Sequence, residues 1–397
     1  MRNIRYLIFL KDVLILSLTS FGGAQAHFAL LLDRMVKKRG YITEEELIEL
    51  TALCNVLPGP TSTQTITAIG FKRGGPALAY LSLLVWVTPA FVVMTAAAIM
   101  INHLQVKELS LHFTRFIQPM AIAFVAYSAV LIWGKVVNSR TSISLALASA
   151  FFCYIINSPY LFPVLLVAGG VVTATKYKRH PKEEKQKINI KWDGFILWAG
   201  VLIVAALAGA ATKNQAVTLP IRLFENFYRN GSLIFGGGQV LVPFLYTEFV
   251  EFKKYLTSQE FLSGYALVQA LPGPTFSFSA FIGALTMREW GMSGEILGAV
   301  IASVGVFLPG TFLIFFVIRF WNELKKFRPV RASLEGINAV SAGMVAAAAF
   351  LLYEPLEQNF HNIAVIVVTF LVLQFTKMPR PFIIIIGIAL GFVFKGQ

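Results

Sequence analysis

Residues 54–64 read CNVLPGPTSTQ and residues 269–279 read QALPGPTFSFS, each placed inside a long apolar stretch. Two prolines around a glycine interrupt a helix, because proline removes a backbone donor and glycine frees the chain to turn. A new helix is expected from about Pro60, with Thr61, Ser62 and Thr63 close behind, since proline is favoured in a first helical turn. Working outward from these two stretches, the chain is written twice. Sliding Phe21 onto Phe235 without a gap sets FGGAQ (21–25) over FGGGQ (235–239) and LPGPT (57–61) over LPGPT (271–275). Tyr41, Thr43 and Glu46 fall on Tyr255, Thr257 and Glu260 at the same offset of 214. After a short insertion Pro89 meets Pro309 and Pro159 meets Pro379.

The 397 residues are 56% hydrophobic and only 14% charged, with mean hydropathy +0.69. Soluble domains carry about 25% charged residues, so the chain belongs in a lipid bilayer. Apolar runs over 75–101, 192–211, 292–318 and 332–353 meet or approach the roughly 20 residues that a helix needs to cross the hydrocarbon. The expected fold is all-α: a polytopic membrane helical bundle of two homologous halves in inverted topology, with helix breaks or re-entrant hairpins near the midplane. The formal charge of +14 comes from Lys and Arg in short connections, which is the pattern of cytoplasmic loops rather than of a nucleic-acid surface. The opening MRNIRYLIFLKD lacks a cleavage site of small residues after an apolar core, so no removable signal peptide is expected. Cys54 and Cys153 have neither disulfide-framework nor metal-ligand spacing, and no cofactor or metal is expected.

The organisation follows as an N-terminal repeat (1–175), a basic cytoplasmic loop with a linking transmembrane helix (176–215) and a C-terminal repeat (216–397). Loop charges argue for inversion. Arg34, Lys37, Lys38 and Arg39 follow the first motif, whereas the equivalent connection has Glu248, Glu251, Lys253 and Lys254. Further on the bias reverses: NHLQVKEL (102–109) is nearly neutral and RFWNELKKFRPVR (319–331) is strongly basic. With Arg34–Arg39, Lys72 and Arg73 on one side, residues 43–71 are expected to enter and leave as a hairpin turning near LPGP, the alternative being a full span with an unwound turn. The same reading gives a hairpin over 6–33 around Phe21, Gly22 and Gly23.

Non-helical chain at membrane depth is tolerated only where protein buries it or where it lines a watery cavity. The first amides of a helix after each LPGP, at the positive end of its dipole, form a site for an anion. Candidate substrate contacts are therefore Pro58, Gly59, Pro60, Thr61 and Ser62, with Pro272, Gly273, Pro274, Thr275 and Ser277 in the second copy. Gly22, Gly23 and Gln25, matched by Gly236, Gly237, Gly238 and Gln239, are expected to complete the centre, although small residues also serve plain helix packing. Asn55 and Gln269 sit at one more matching position.

Phe-Gly-Gly-x-Gln with x-Leu-Pro-Gly-Pro-Thr 36 residues on, present twice in one chain of about 400, resembles the long, two-domain members of the chromate ion transporter family. The resemblance covers nearly the whole chain. It implies export of chromate across the bacterial inner membrane, and hence chromate resistance, by a multi-pass protein. A tetrahedral dianion such as sulfate fits a ring of neutral dipoles equally well. Lys72, Arg73, Arg115 and Arg288 are candidate distant cations, or simply mark membrane edges.

Three ionisable residues invite a coupling role. Glu46 and Glu260 each follow a threonine by three residues, which is also the spacing of a helix capping box. His27, opposite Leu241 in the second copy, is either a packed, hydrogen-bonded histidine or a proton relay. The leading functional expectation is a secondary transporter working by alternating access, with protons as a candidate coupling ion; an oxyanion channel is the nearest rival. No phosphate-binding nucleotide loop is present in the sequence, so energy does not come from ATP bound by this chain. An intramembrane enzyme using Cys54 or His27 finds no partner at a repeated position, so no catalytic residue is expected. The expected partners are the oxyanion, the lipid bilayer and protons, with a homodimer open and no nucleic acid.

Overall fold

The computed structural model describes residues 2–106, 114–156, 158–176, 192–212, 214–324 and 326–393. The basic connection expected over 176–187 lies outside the described residues apart from Lys176. Every regular element among the described residues is helical. In chain order these are α1 (Arg2–Thr19), α2 (Gly23–Leu31), α3 (Glu44–Val56), α4 (Thr61–Val106), α5 (Ile117–Val136), α6 (Arg140–Ile155), α7 (Leu161–Ala174), α8 (Asp193–Ala211) and α9 (Gln215–Leu233). There follow α10 (Leu241–Tyr246), α11 (Ser258–Ala270), α12 (Phe278–Thr286), α13 (Gly291–Val317), α14 (Trp321–Leu324), α15 (Arg328–Tyr353), α16 (Phe360–Phe375) and α17 (Arg380–Val393). Five stretches are long and apolar enough to cross a membrane: Thr61–Leu104, Ile117–Val136, Asp193–Ala211, Arg288–Val317 and Arg328–Tyr353. The protein is a polytopic helical membrane protein.

Two compact units are present, and neither coincides with a sequence repeat. One takes Met1–Leu109, Lys191–Gly238 and Leu267–Arg319; the other takes Ser110–Ile190, Gln239–Ala266 and Phe320–Gln397. Each unit draws on both repeats.

In the first unit α1 packs on α4, and α13 is flanked by α8, α9 and α12. Close approach there depends on missing side chains: a Cβ on Gly283 would strike the Gly298 carbonyl, and one on Gly298 would strike the Gly283 carbonyl. α4 is two helices rather than one. Gly74 and Gly75 leave helical geometry (φ −153° and +73°) ahead of Pro76, so a 13-residue segment (61–73) precedes the long one. The second copy bends the same way, since Gly291 between α12 and α13 has φ 68° and ψ −165°, against 73° and −165° at Gly75.

Whether the chain doubles back at LPGP is settled by a side-chain pair. Glu46 begins α3 and Lys72 ends the 61–73 segment, and Lys72 Nζ lies 3.1 Å from Glu46 Oε1. Each arm is about 20 Å long at 1.5 Å per residue, so its two ends meet only if the chain reverses at the turn between them. Residues 43–73 are a helical hairpin with LPGP at its tip. The segment before it also returns, because Arg34 and Arg39 both reach Asp12 on α1.

In the second unit α15 packs against α5, α6 and α7. Gly336 lies against the Gly169 carbonyl and Gly343 against the Ala146 carbonyl, each too close for a Cβ. Ser149 Oγ donates to Val340 O at 2.8 Å and Gly336 N donates to Thr173 Oγ1 at 3.1 Å, so hydroxyls join the helices where lipid offers no competing water.

The repeats share fine detail. A π-helical stretch occurs at Leu32–Lys38 and again at Thr247–Phe252. It is closed by Tyr41 N to Met35 O and by Tyr255 N to Phe249 O, both at 2.8 Å. The two capping boxes are both formed: Thr43 N donates to Glu46 Oε2 (3.0 Å) and Thr257 N to Glu260 Oε2 (2.8 Å), while each glutamate N–H reaches the threonine hydroxyl at 3.2 Å.

Candidate functional site

Four helix breaks gather in the first unit. They are the turns at 20–22 and 234–238, which carry the glycine motifs, and at 57–60 and 271–274, which carry LPGP. Glycine at positive φ makes each turn: Gly22 at 96°, Gly59 at 117°, Gly236 at 90° and Gly273 at 100°. The turns pair across the repeats. Gly59 N donates to Ile234 O and Gly273 N donates to Ser20 O, both at 2.8 Å. Ser20 and Ile234 are 214 apart, as are Gly59 and Gly273, so one bond is the repeat-related copy of the other. Each LPGP turn is thus held by the glycine turn of the opposite copy.

The surroundings obey the same exchange. A Cβ on Gly59 would come within 3.6 Å of Gly310 Cα, just after Pro309, and one on Gly273 within 3.5 Å of Ala90 Cβ, just after Pro89. Ser17 Oγ donates to Trp86 O at 2.6 Å, and the repeat equivalent of Ser17 is Gly231, which lies against the Val306 carbonyl. The glycine and LPGP turns of the second copy also meet: a Cβ on Gly238 would stand 3.0 Å from Thr275 Cβ.

The glycine amides in LPGP are therefore committed, and the prolines have none. Donors at the hairpin tip come from the helix that follows. Its first intrahelical bond is Gln64 N to Pro60 O (2.9 Å), which leaves the amides of Thr61, Ser62 and Thr63 ahead of the ladder. In the second copy Ser277 N already reaches Pro274 O at 2.9 Å, and a 3₁₀ turn over Thr275–Ser277 precedes α12.

Side chains dress the two copies differently. His27 is buried, with Nε2 3.1 Å from Ser20 O and Nδ1 2.9 Å from Ser62 Oγ. A carbonyl only accepts, so Nε2 carries a proton, and in the neutral ring Nδ1 accepts from the Ser62 hydroxyl. Ser20 O thus serves both Gly273 and His27. Trp86 packs edge-on to His27 at 5.6 Å between centroids and donates Nε1–H to Thr63 Oγ1 at 3.1 Å. Gln64 Nε2 donates to Pro58 O at 2.7 Å and bridges the LPGP turn. The second copy has Leu241 for His27 and Phe278 for Gln64. Around the turns several buried polar atoms lack a protein partner: Ser20 Oγ, Gln64 Oε1, Ser277 Oγ, Ser279 Oγ and both amide atoms of Asn230. Buried polar atoms without a partner are uncommon in a folded chain.

The remaining sequence candidates fall as follows. Pro58, Gly59, Pro60 and Pro274 are buried; Thr61, Ser62, Gly237, Gly238, Pro272, Gly273 and Thr275 are half-buried; Gly22 and Gly236 are exposed. The side chain of Gln25, like Gly23, lies outside those described, and Gln239 belongs to the other compact unit. Asn55 is exposed while Gln269 is buried, so that matched pair is not equivalent in space. Glu46 and Glu260 both cap helices, and Glu46 also bridges to Lys72.

One cluster escaped the sequence reading. Asp12, fully buried on α1, accepts from Arg34 Nε (2.9 Å) and Nη2 (2.8 Å), from Arg39 Nε (2.8 Å) and Nη2 (3.2 Å), and from the Tyr41 hydroxyl (2.7 Å). Burial, together with the bond to Asp12, pushes the Tyr41 phenol up to about 12, so it remains a donor. The available signal was the carboxylate itself in FLKDVLIL, since a charge within an apolar helix needs partners.

An all-helical, multi-pass chain with two pairs of helix breaks bonded across its repeats has the features of a membrane transport protein. The chain belongs to the chromate transporter family, whose sequence model matches residues 7–174 and 221–392. It is 25% identical over 383 residues to a probable chromate transport protein of Synechococcus elongatus, covering 94% of this chain and 92% of that one. A chromate transport protein of Pseudomonas aeruginosa is 27% identical over 336 residues (83% and 77%), and one of Cupriavidus metallidurans 24% over 377 (94% and 89%). These relatives are transport proteins, not enzymes. No solved structure matches the chain.

Proposed function

We propose that this protein carries chromate out of the cell across the bacterial inner membrane, binding the dianion at the four-turn cluster. The observation that carries the reading is the crossed pair of bonds, Gly59 to Ile234 and Gly273 to Ser20, which fixes both LPGP tips by backbone alone. The amides of Thr61, Ser62 and Thr63 and the hydroxyls of Thr61, Ser62, Thr275 and Ser277 then offer neutral donors to a tetrahedral oxyanion. Neutral dipoles suit transport, because fully charged ligands at the centre would hold a dianion too tightly to release it.

Chromate leaving a negative-inside cell gains about 2.3 kcal/mol per charge per 100 mV, so export needs little other driving force. The protein works by alternating access around this cluster, with His27 as the candidate proton carrier because it joins the first glycine turn to the start of the LPGP helix. Glu46 and Glu260 are occupied as caps and make weaker coupling candidates.

The test is uptake by inverted membrane vesicles with chromate, sulfate, molybdate and phosphate in competition, with and without a pH gradient. Chromate uptake that sulfate inhibits and phosphate does not is the expected result. Stoichiometric counter-flux identifies a carrier, and its absence a channel. Thr61→Val and Thr275→Val should each lower flux while the protein stays folded; unchanged flux in both removes the LPGP tips from the site.

A further inference from the structure

A cavity lies in the first unit, lined by none of the four turns. It measures about 840 Å³ and is lined by Arg5, Tyr6, Ile8, Phe9, Arg39, Tyr41, Arg73 and Leu78. No acidic residue is among the described residues of that lining. Behind the wall Asp12 takes Arg34 and Arg39 together, and Glu46, bridged to Lys72, also feels the charge of Arg73, so five cations (Arg5, Arg34, Arg39, Lys72 and Arg73) outnumber the two carboxylates Asp12 and Glu46. The cations are held in place rather than loose: Arg39 is anchored by Asp12, and the Arg73 guanidinium lies over the Tyr41 ring, 5.9 Å from its centroid. Tyr41 is itself fixed by its bond to Asp12.

The rest of the lining is apolar, and it continues onto the outside of the protein. Ile8 belongs both to the cavity and to an exposed stripe on α1, where Ile4, Leu7 and Ile8 are 62%, 67% and 43% exposed. That stripe has the character of a surface bathed by acyl chains. A bare tetrahedral oxyanion would use neither the volume nor Ile8, Phe9 and Leu78. A phosphodiester head group carrying hydrocarbon uses both.

We infer that this cavity binds an acidic glycerophospholipid, with the phosphodiester among Arg5, Arg39 and Arg73 and an acyl chain along Ile8 and Leu7. The lipid site is separate from the transported ion's site and would tie α1, the 39–41 turn and the end of the 61–73 segment together through one shared ligand. Basic pockets between membrane helices are where acidic head groups are recognised.

The full-length protein, delipidated in detergent, is titrated with phosphatidylglycerol, with phosphatidylcholine of the same acyl chains, with inorganic phosphate and with chromate, and its thermal unfolding midpoint is followed. Native mass spectrometry counts the lipid retained. Phosphatidylglycerol should raise the midpoint saturably, and the other three should not. The double variant Arg5→Gln/Arg73→Gln should weaken phosphatidylglycerol binding about 25-fold, and Arg5→Gln alone, at an exposed position that folding does not require, about fivefold. Equal stabilisation by phosphatidylcholine overturns the charge-based selectivity. Stabilisation by phosphate or chromate alone makes the cavity a site for free oxyanions and overturns the lipid assignment, as does undiminished phosphatidylglycerol binding by Arg5→Gln.

Discussion

The two LPGP turns have the same backbone and different dress. Both place a positive-φ glycine between prolines and give its amide to a carbonyl of the opposite copy. The first turn is buried, bridged by Gln64 and served by His27; the second is partly open, followed by a 3₁₀ turn, with Phe278 and Leu241 at the matching positions. The common work, holding four breaks at one place, is thus done by main-chain bonds from glycines at positive φ rather than by side chains. What differs between the copies lies in the side chains around that shared frame.

Substitutions that make one copy imitate the other probe this difference most directly. Asp12 corresponds to Asn226, so Asp12→Asn imposes the second copy's residue on the first and leaves Arg34 and Arg39 without their carboxylate. A loss of about 3 kcal/mol is expected, the low end for a buried pair because both arginines are partly exposed, read as a fall in denaturation midpoint. An unaltered midpoint would mean that the cluster contributes nothing to the first hairpin.

Gly59→Ala and Gly273→Ala act on what the copies share. Positive φ costs an alanine about 1–2 kcal/mol at either site. Gly59→Ala should be the worse, since its Cβ would stand 2.8 Å from Gln64 Nε2, whereas the nearest atom to the Cβ at position 273 is 3.5 Å away. Vesicle flux normalised to folded protein checks the order; equal losses would show that the local crowding is absorbed.

His27→Leu copies Leu241 into the first repeat. Removing the ring leaves Ser62 Oγ unpartnered and takes one of the two donors from Ser20 O, a cost of about 1–2 kcal/mol. If His27 carries a proton, the pH-gradient dependence of chromate flux disappears in this variant while binding persists. A gradient response identical to that of the parent protein assigns His27 to positioning alone.

The smallest effect is expected from Glu46→Gln and Glu260→Gln. Glutamine preserves the reach of a capping box, so each should cost no more than about 1 kcal/mol. Glu46→Gln should be the larger of the two, because it also loses the bridge to Lys72. A change in the coupling of flux to pH in either variant would promote that glutamate from cap to carrier.

Several features were legible without coordinates because they are local. The break at LPGP, the helix start near Thr61, the two capping boxes, the repeat offset and the helix at Asp193–Ala211 follow from residues within a few positions of one another. α2 begins directly at Gly23, whereas the second turn runs as far as Leu241, with Gly238 at the position matching residue 24. The kink at Gly74–Gly75, between Arg73 and Pro76 at the edge of an apolar run, was not read from the sequence, because one glycine pair looks the same whether it packs or bends. The equivalence of Asn55 and Gln269 did not survive, since burial is set by neighbours from other segments.

The sequence by itself determined that the chain is a twice-written membrane protein with its helices broken at fixed places, because proline, glycine and capping residues act on their own turn of backbone. Only the tertiary structure decided that the 43–73 segment returns on itself, that each LPGP turn is held by the opposite copy's glycine turn, and that Asp12 gathers Arg34, Arg39 and Tyr41. Those partners lie far apart in the chain. In an environment with no water to satisfy a stray amide or charge, the path that brings them together is chosen by the whole set of polar groups that must be paired at once.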